Sequence, residues 1–275
     1  MIHRYMDDIN RMATMGLSSF RFSISWSRVM SWNGKEMIPN GKGIAFYRAM
    51  IAALHEKHIE PVLTMYHWDL PLELHTNLSP PGWLHPSIVQ HYTTYATLLF
   101  AEFGKEVSFW ATFNEPWTFA FKGYGIGDHA PGMSNSTTNA YLAAHHLLLS
   151  HASAVSVFRQ LQTEGGVQPK ARISIVLNCD YGFPLNATSS RDIATADRKM
   201  EFSLGWFLNP IVHGDYPDIM KEYAGSHLPV FTKDESTLLK GSYDLLMLNH
   251  YSSQVVTDCD SPTSERSCDS LTLGW

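Results

Sequence analysis

Apolar positions recur at two spacings along this chain, and the two spacings alternate. Ile2, Met6, Ile9 and Ala13 fall three or four apart, as on one helix face, and Gly16 offers a stop. From Phe20 the period changes to two. Phe20, Phe22, Ile24 and Trp26 take one side and Arg21, Ser23 and Ser25 the other, which predicts a strand over 20–26. Ile44, Tyr47, Ile51 and Leu54 return to helical spacing, and a strand over 61–66 follows. Ser87 is a candidate cap for a helix carrying Ile88, Tyr92, Tyr95, Leu99 and Phe103. The apolar run 107–111 reads as a buried strand. After a glycine-rich stretch, 123–132, a long helix runs through Tyr141, Ala144, Leu148, Val155 and Phe158. Residues 173–177 predict a strand, 191–207 a helix and 243–248 a further strand.

Short strands alternating with long amphipathic helices make an α/β chain with a parallel sheet that helices cover or enclose. No repeat, linker or low-complexity tract divides it, so residues 1–275 read as one domain or part of one. In a (β/α)8 barrel, the polar side of residues 20–26 would face inward and the aromatic side would lie under the helices. Strand starts near residues 20, 61, 107, 172 and 244 set about 56 residues per unit, so eight units would need about 450. Five strands of eight are therefore expected here.

The chain has 275 residues, 44% of them hydrophobic and 17% charged, enough to bury a core. A net charge of −6 argues against nucleic acid or an anionic membrane surface as partner. No apolar run approaches the roughly 20 residues of a membrane span. Residues 1–5 open no signal peptide. Cys179, Cys259 and Cys268 match no metal-ligand spacing, though Cys259 and Cys268 could close a small disulfide loop or remain as thiols. Asn135-Ser136-Thr137, Asn186-Ala187-Thr188 and Asn77-Leu78-Ser79 fit the glycosylation acceptor pattern, the last weakened by Pro80. They point only faintly toward secretion and leave the compartment open.

Chemistry gathers at strand ends. Thr112-Phe113-Asn114-Glu115-Pro116-Trp117 sets a carboxamide and a carboxyl where a buried strand stops, and at the C-terminal strand ends a barrel carries its reactive groups. An amide there can bind a sugar hydroxyl while the carboxyl gives a proton to a leaving oxygen. Arg21 lies on the first strand, and the next ends at His67-Trp68-Asp69. Asn178 and Asn249-His250-Tyr251 close two more. Alone, Glu115 could equally be a solvated loop residue and His67 a core histidine. In line with one another they suit a ligand pocket.

These segments resemble glycoside hydrolase family 1, the β-glucosidase family. The matching motifs are Phe20-Arg21-Phe22-Ser23-Ile24-Ser25-Trp26, Tyr66-His67-Trp68-Asp69-Leu70-Pro71 and the Asn-Glu-Pro segment. Gly205-Trp206-Phe207, Gly214-Asp215-Tyr216-Pro217 and Leu248-Asn249-His250-Tyr251 follow in the family's order. The resemblance implies a TIM barrel and a retaining β-glycosidase, foremost a β-glucosidase, acting on a β-glucoside or related small glycoside without metal or organic cofactor. It implies Glu115 as acid/base, and Asn114, His67 and Trp68 as substrate contacts. Arg21, Asn249 and Tyr251 would support a nucleophilic carboxylate. The family's first strand and last two strands, and with them the nucleophile, have no counterpart in the sequence, so a truncated chain is expected. Two other readings are a non-catalytic sugar- or protein-binding member and a phospho-β-glycosidase.

Overall fold

The computed structural model describes residues 4–134 and 138–258. Its first stretch holds α1 (Tyr5–Thr14), β1 (Ser19–Ser23), α2 (Trp26–Val29), the short pair β2 (Met30–Trp32) and β3 (Met37–Pro39), and α3 (Gly41–Glu56). Next come β4 (Glu60–Tyr66), α4 (Leu72–Thr76), α5 (Ile88–Phe103), β5 (Phe109–Asn114), α6 (Pro116–Tyr124) and α7 (Asn139–Thr163). The remainder holds β6 (Arg172–Asn178), β7 (Tyr181–Pro184), α8 (Ser190–Met200), α9 (Trp206–His213), α10 (Asp218–Ala224), α11 (Lys233–Leu239), β8 (Met247–Asn249) and β9 (Ser253–Val256). Five strands form one sheet in the order β1-β4-β5-β6-β8. β1 pairs with β4, β4 with β5 and β6 with β8, each in parallel. Sequential parallel strands joined through helices are the arrangement of consecutive units of a (β/α)8 barrel. The predicted α/β class holds, and among the described residues so does the predicted number of sheet strands.

Local differences have local causes. The strand expected over 20–26 stops at Ser23, and Trp26 begins a helical turn instead of continuing the alternation. Ile24 and Trp26 are still fully buried, so the burial pattern alone did not reveal where the backbone changed. Ser87 is itself helical and makes no side-chain cap; its hydroxyl and amide both engage His85 Nδ1. Pro116 follows β5 and Glu115 directly. Its fixed φ suits the first helical position, where no N–H is needed, and it starts α6. The strand expected over 243–248 shrinks to residues 247–249; ahead of it Asp244 meets Ile173 through both backbone and side chain, its amide donating to the Ile173 carbonyl at 3.0 Å and its carboxylate accepting the Ile173 amide at 2.8 Å.

The described residues cluster into two compact units. Residues 4–114, 150–175 and 243–246 make the first. There Tyr92 stacks on Phe113 at 4.4 Å, and Tyr66 and Trp83 meet the same ring edge-on at 5.6 and 5.5 Å. Tyr92 also donates its hydroxyl to the Thr112 carbonyl at 2.6 Å, and complete burial holds that phenol well above its usual pKa. The end of β5 is thereby packed on three sides by rings and bonded through one of them.

The second unit contains residues 115–134, 138–149, 176–242 and 247–258. Within it His145 is buried, stacked on Phe231 at 4.6 Å and 3.1 Å from the Tyr216 hydroxyl. Burial, with a smaller contribution from neighbouring His146, lowers its pKa to about 4 against the opposing pull of Glu235. Below about pH 6.5 the unfolded chain binds a proton that the folded chain refuses until about pH 4. Stability therefore falls as pH drops through that window, by up to about 3 kcal/mol, and levels off below it. Urea midpoints of the family-length protein measured across pH 4–7 should show this slope, and His145→Gln should flatten it. An unchanged slope in the variant would assign the effect to another group.

Candidate active site

In the first unit, parallel register sets Ser23 opposite Thr64 and Tyr66 opposite Phe113, so β1, β4 and β5 end close to level. Arg21 reaches across the strands. Its Nε donates to Thr64 Oγ1 at 2.9 Å and its terminal nitrogen to Asn114 Oδ1 at 2.7 Å. A guanidinium can only donate, so it fixes the Asn114 carboxamide with the oxygen toward Arg21 and the nitrogen outward. That nitrogen lies 3.2 Å from His67 Nε2, which must accept, leaving the imidazole proton for Nδ1. Asn114 is 3% exposed.

Trp68 has φ +75°, a left-handed conformation that is strained for a bulky L-residue. The bend aims its indole N–H at the Asn114 carbonyl, 2.7 Å away. Arg21, His67, Trp68 and Asn114, all singled out from sequence, thus belong to one network. Thr64 completes it and was not singled out, because a threonine inside an apolar strand carries no signal of its partner. Beside them, burial raises the Asp69 carboxyl above its ordinary pKa.

The second unit begins at Glu115, whose backbone is also left-handed, φ 51° and ψ 64°. Its amide donates to the Val176 carbonyl at 2.8 Å, which ties the turn to β6. The residue is 7% exposed. Its Oε1 accepts Asn249 Nδ2 at 2.7 Å and the Tyr251 hydroxyl at 2.9 Å, and its Oε2 accepts the Thr118 hydroxyl at 3.1 Å. Asn178 Nδ2 donates to Thr118 at 2.9 Å and sets that hydroxyl in turn.

The two oxygens of Glu115 are therefore unequal. Oε1 faces an amide that can only donate, whereas Oε2 faces a hydroxyl whose proton can rotate away. Oε2 is the oxygen suited to carry a proton. The resemblance assigned Asn249 and Tyr251 to a different carboxylate; in this chain the carboxylate they reach is that of Glu115. Thr118 was missed from sequence. Its place three residues after Glu115 would have been the signal had the helix after Pro116 been foreseen. Among the described residues, no group of three or more His, Cys, Asp or Glu side chains could hold a metal ion.

Glycosyl hydrolase family 1 matches residues 1–272. Beta-glucosidase 26 of Oryza sativa subsp. japonica is 44% identical over 263 residues, covering 93% of this chain and 50% of the relative. Furcatin hydrolase of Viburnum furcatum is 41% identical over 266 residues, covering 94% of this chain and 48% of the relative. A crystal structure of the β-glucosidase from Trichoderma harzianum aligns with a TM-score of 0.89 at 37% identity, over 96% of this chain and 55% of that one. An aphid myrosinase aligns at 0.88 and 38% identity, over 99% and 58%. The chain spans about half the length of the curated relatives it matches. With the motifs in order, the parallel sheet and a family match along almost the whole sequence, the chain belongs to glycosyl hydrolase family 1.

Proposed function

We propose that the protein carrying this chain is a retaining β-glycosidase whose main substrates are O-linked β-glucosides. The observation that carries this reading is the Glu115 carboxyl, buried at a strand end and held by two donors on one oxygen and a rotatable hydroxyl on the other. Protonated at Oε2, Glu115 delivers its proton to the glycosidic oxygen as the bond to the sugar's C1 breaks. A second carboxylate attacks C1 from the opposite face and forms the glycosyl-enzyme. That carboxylate belongs to the part of the family's length that this chain does not span. Glu115, now ionised, takes a proton from water, which attacks C1 and releases the sugar with its configuration kept.

Asn114 offers its amide nitrogen to a sugar hydroxyl, and His67 and Trp68 line the sugar beside it. Arg21 holds the Asn114 amide in the orientation this needs, and as a fixed cation it favours an ionised nucleophile. The likeness to a myrosinase makes thioglucosides a useful comparison. A thiolate leaves without a proton, so Glu115 would matter little in that reaction. The test is the anomer first released from an alkyl β-glucoside by the family-length protein, followed by proton NMR. The β-anomer is expected before mutarotation, and initial α-glucose would overturn the retaining assignment.

A further inference from the structure

Asn186-Ala187-Thr188 lies in the turn that joins β7 to α8, and Asn186, Ala187 and Thr188 are all exposed. We propose that Asn186 is a glycan acceptor, joined through its carboxamide nitrogen to an N-linked oligosaccharide. The turn is held without that nitrogen. The Asn186 backbone amide donates to Asp192 Oδ2 at 2.9 Å, and its carbonyl accepts from the Ser189 amide at 3.0 Å. The carboxamide oxygen accepts both the amide and the hydroxyl of Thr188, at 2.9 and 2.8 Å. Nδ2 donates to no group among the described residues and faces water.

Chemistry follows from this arrangement. An amide nitrogen is a poor nucleophile because its lone pair is delocalised into the carbonyl. Two donors on Oδ1 draw charge onto the oxygen and acidify the Nδ2 protons, and the hydroxyl at the third position of the motif supplies one of them. In the transfer, Nδ2 attacks C1 of the first sugar of an oligosaccharide carried on a lipid diphosphate. The C1–O bond to the diphosphate breaks, the diphosphate leaves with the electron pair, and one Nδ2 proton passes to a base of the transferring enzyme. Access is open on the strand side: Tyr181, Phe183 and Leu185 occupy the outward positions leading to the turn and are all exposed.

Asn77 provides an internal contrast. It is also exposed, but Pro80 follows its hydroxyl residue and restricts the backbone of Ser79. Asn135 lies outside the described residues. The proposal is independent of the glycosidase reading, since occupancy is read without any activity.

The experiment expresses the chain behind a secretion leader in a eukaryotic host and recovers both retained and secreted material. Release with a peptide N-glycosidase in heavy-oxygen water should convert residue 186 to labelled aspartate in the peptide that spans it. Asn186→Gln and Thr188→Ala should each remove one glycan step on a gel, while Thr188→Ser should keep it. An unlabelled asparagine at 186, or the same number of glycan steps in Asn186→Gln as in the parent, would overturn the proposal.

Discussion

Replacing Glu115 with glutamine in the family-length protein is expected to divide substrates by leaving group. For alkyl glucosides, whose oxygen cannot depart without a proton, kcat/KM should fall by roughly 10²–10⁴-fold, the usual worth of a positioned general acid. For an aryl glucoside with an acidic phenol, the same quantity should change by less than about tenfold, because the phenolate leaves unaided. The substitution is mild in structure. Glutamine keeps an oxygen for Asn249 and Tyr251 and the same shape at a buried position, so loss through misfolding should be small. It also removes the base of the second step, so kcat for the aryl substrate should drop while its kcat/KM does not. Azide, which attacks C1 without surrendering a proton, should restore that kcat. Equal losses of kcat/KM on both substrate types would take the acid role away from Glu115.

The second large effect concerns the 275-residue chain alone, which is expected to turn over no aryl β-glucoside. Retention needs two carboxyls roughly 5–5.5 Å apart. Among the described residues, the side chains bonded to the Glu115 carboxyl are Asn249, Tyr251 and Thr118, none of them a carboxyl. Among the described residues the sheet also has two open edges, β1 and β8, and beside the latter Leu246 and Leu248 are 59% and 43% exposed. Unpaired edges with apolar side chains favour association between molecules over catalysis. Loss of one member of a catalytic set lowers kcat by about 10⁴-fold or more, so activity should lie below detection and the purified chain should aggregate. Turnover abolished by Glu115→Ala in this chain would mean that a carboxylate already present, such as Asp69 or Asp128, acts as nucleophile.

Much of the sheet was legible because its strands obey simple periods. Residues 20–26 alternate cleanly, and 61–66, 107–111 and 173–177 are short apolar runs beside long helical stripes. Two smaller pairings were not foreseen. Asn33-Gly34 is a turn signal between β2 and β3, with Gly34 at φ +100° and Asn33 Oδ1 accepting two amides, yet three-residue strands are too short to show a period. β7 pairs with β9 from about 70 residues away along the sequence, and no local pattern encodes that partner. The same limit governs the site. Arg21, His67, Trp68 and Asn114 could be picked out as polar groups at strand ends, but a linear pattern does not say which donor meets which acceptor. Asn249 and Tyr251 were visible as residues, whereas their pairing with Glu115 was not.

The position of those two donors along the chain has a consequence for biosynthesis. Every member of the Arg21, Thr64, His67, Trp68 and Asn114 network has been made once residue 114 is added. Glu115 must wait for Asn249, 134 residues later, which is roughly 7–27 s of translation at 5–20 residues per second. Through that interval its two Oε1 donors have not been made, and the Val176 carbonyl that ties its left-handed turn is itself made 61 residues after it. Vectorial synthesis thus orders the assembly, with the amide of Asn114 set early and the carboxyl beside it in sequence among the last groups to find its partners.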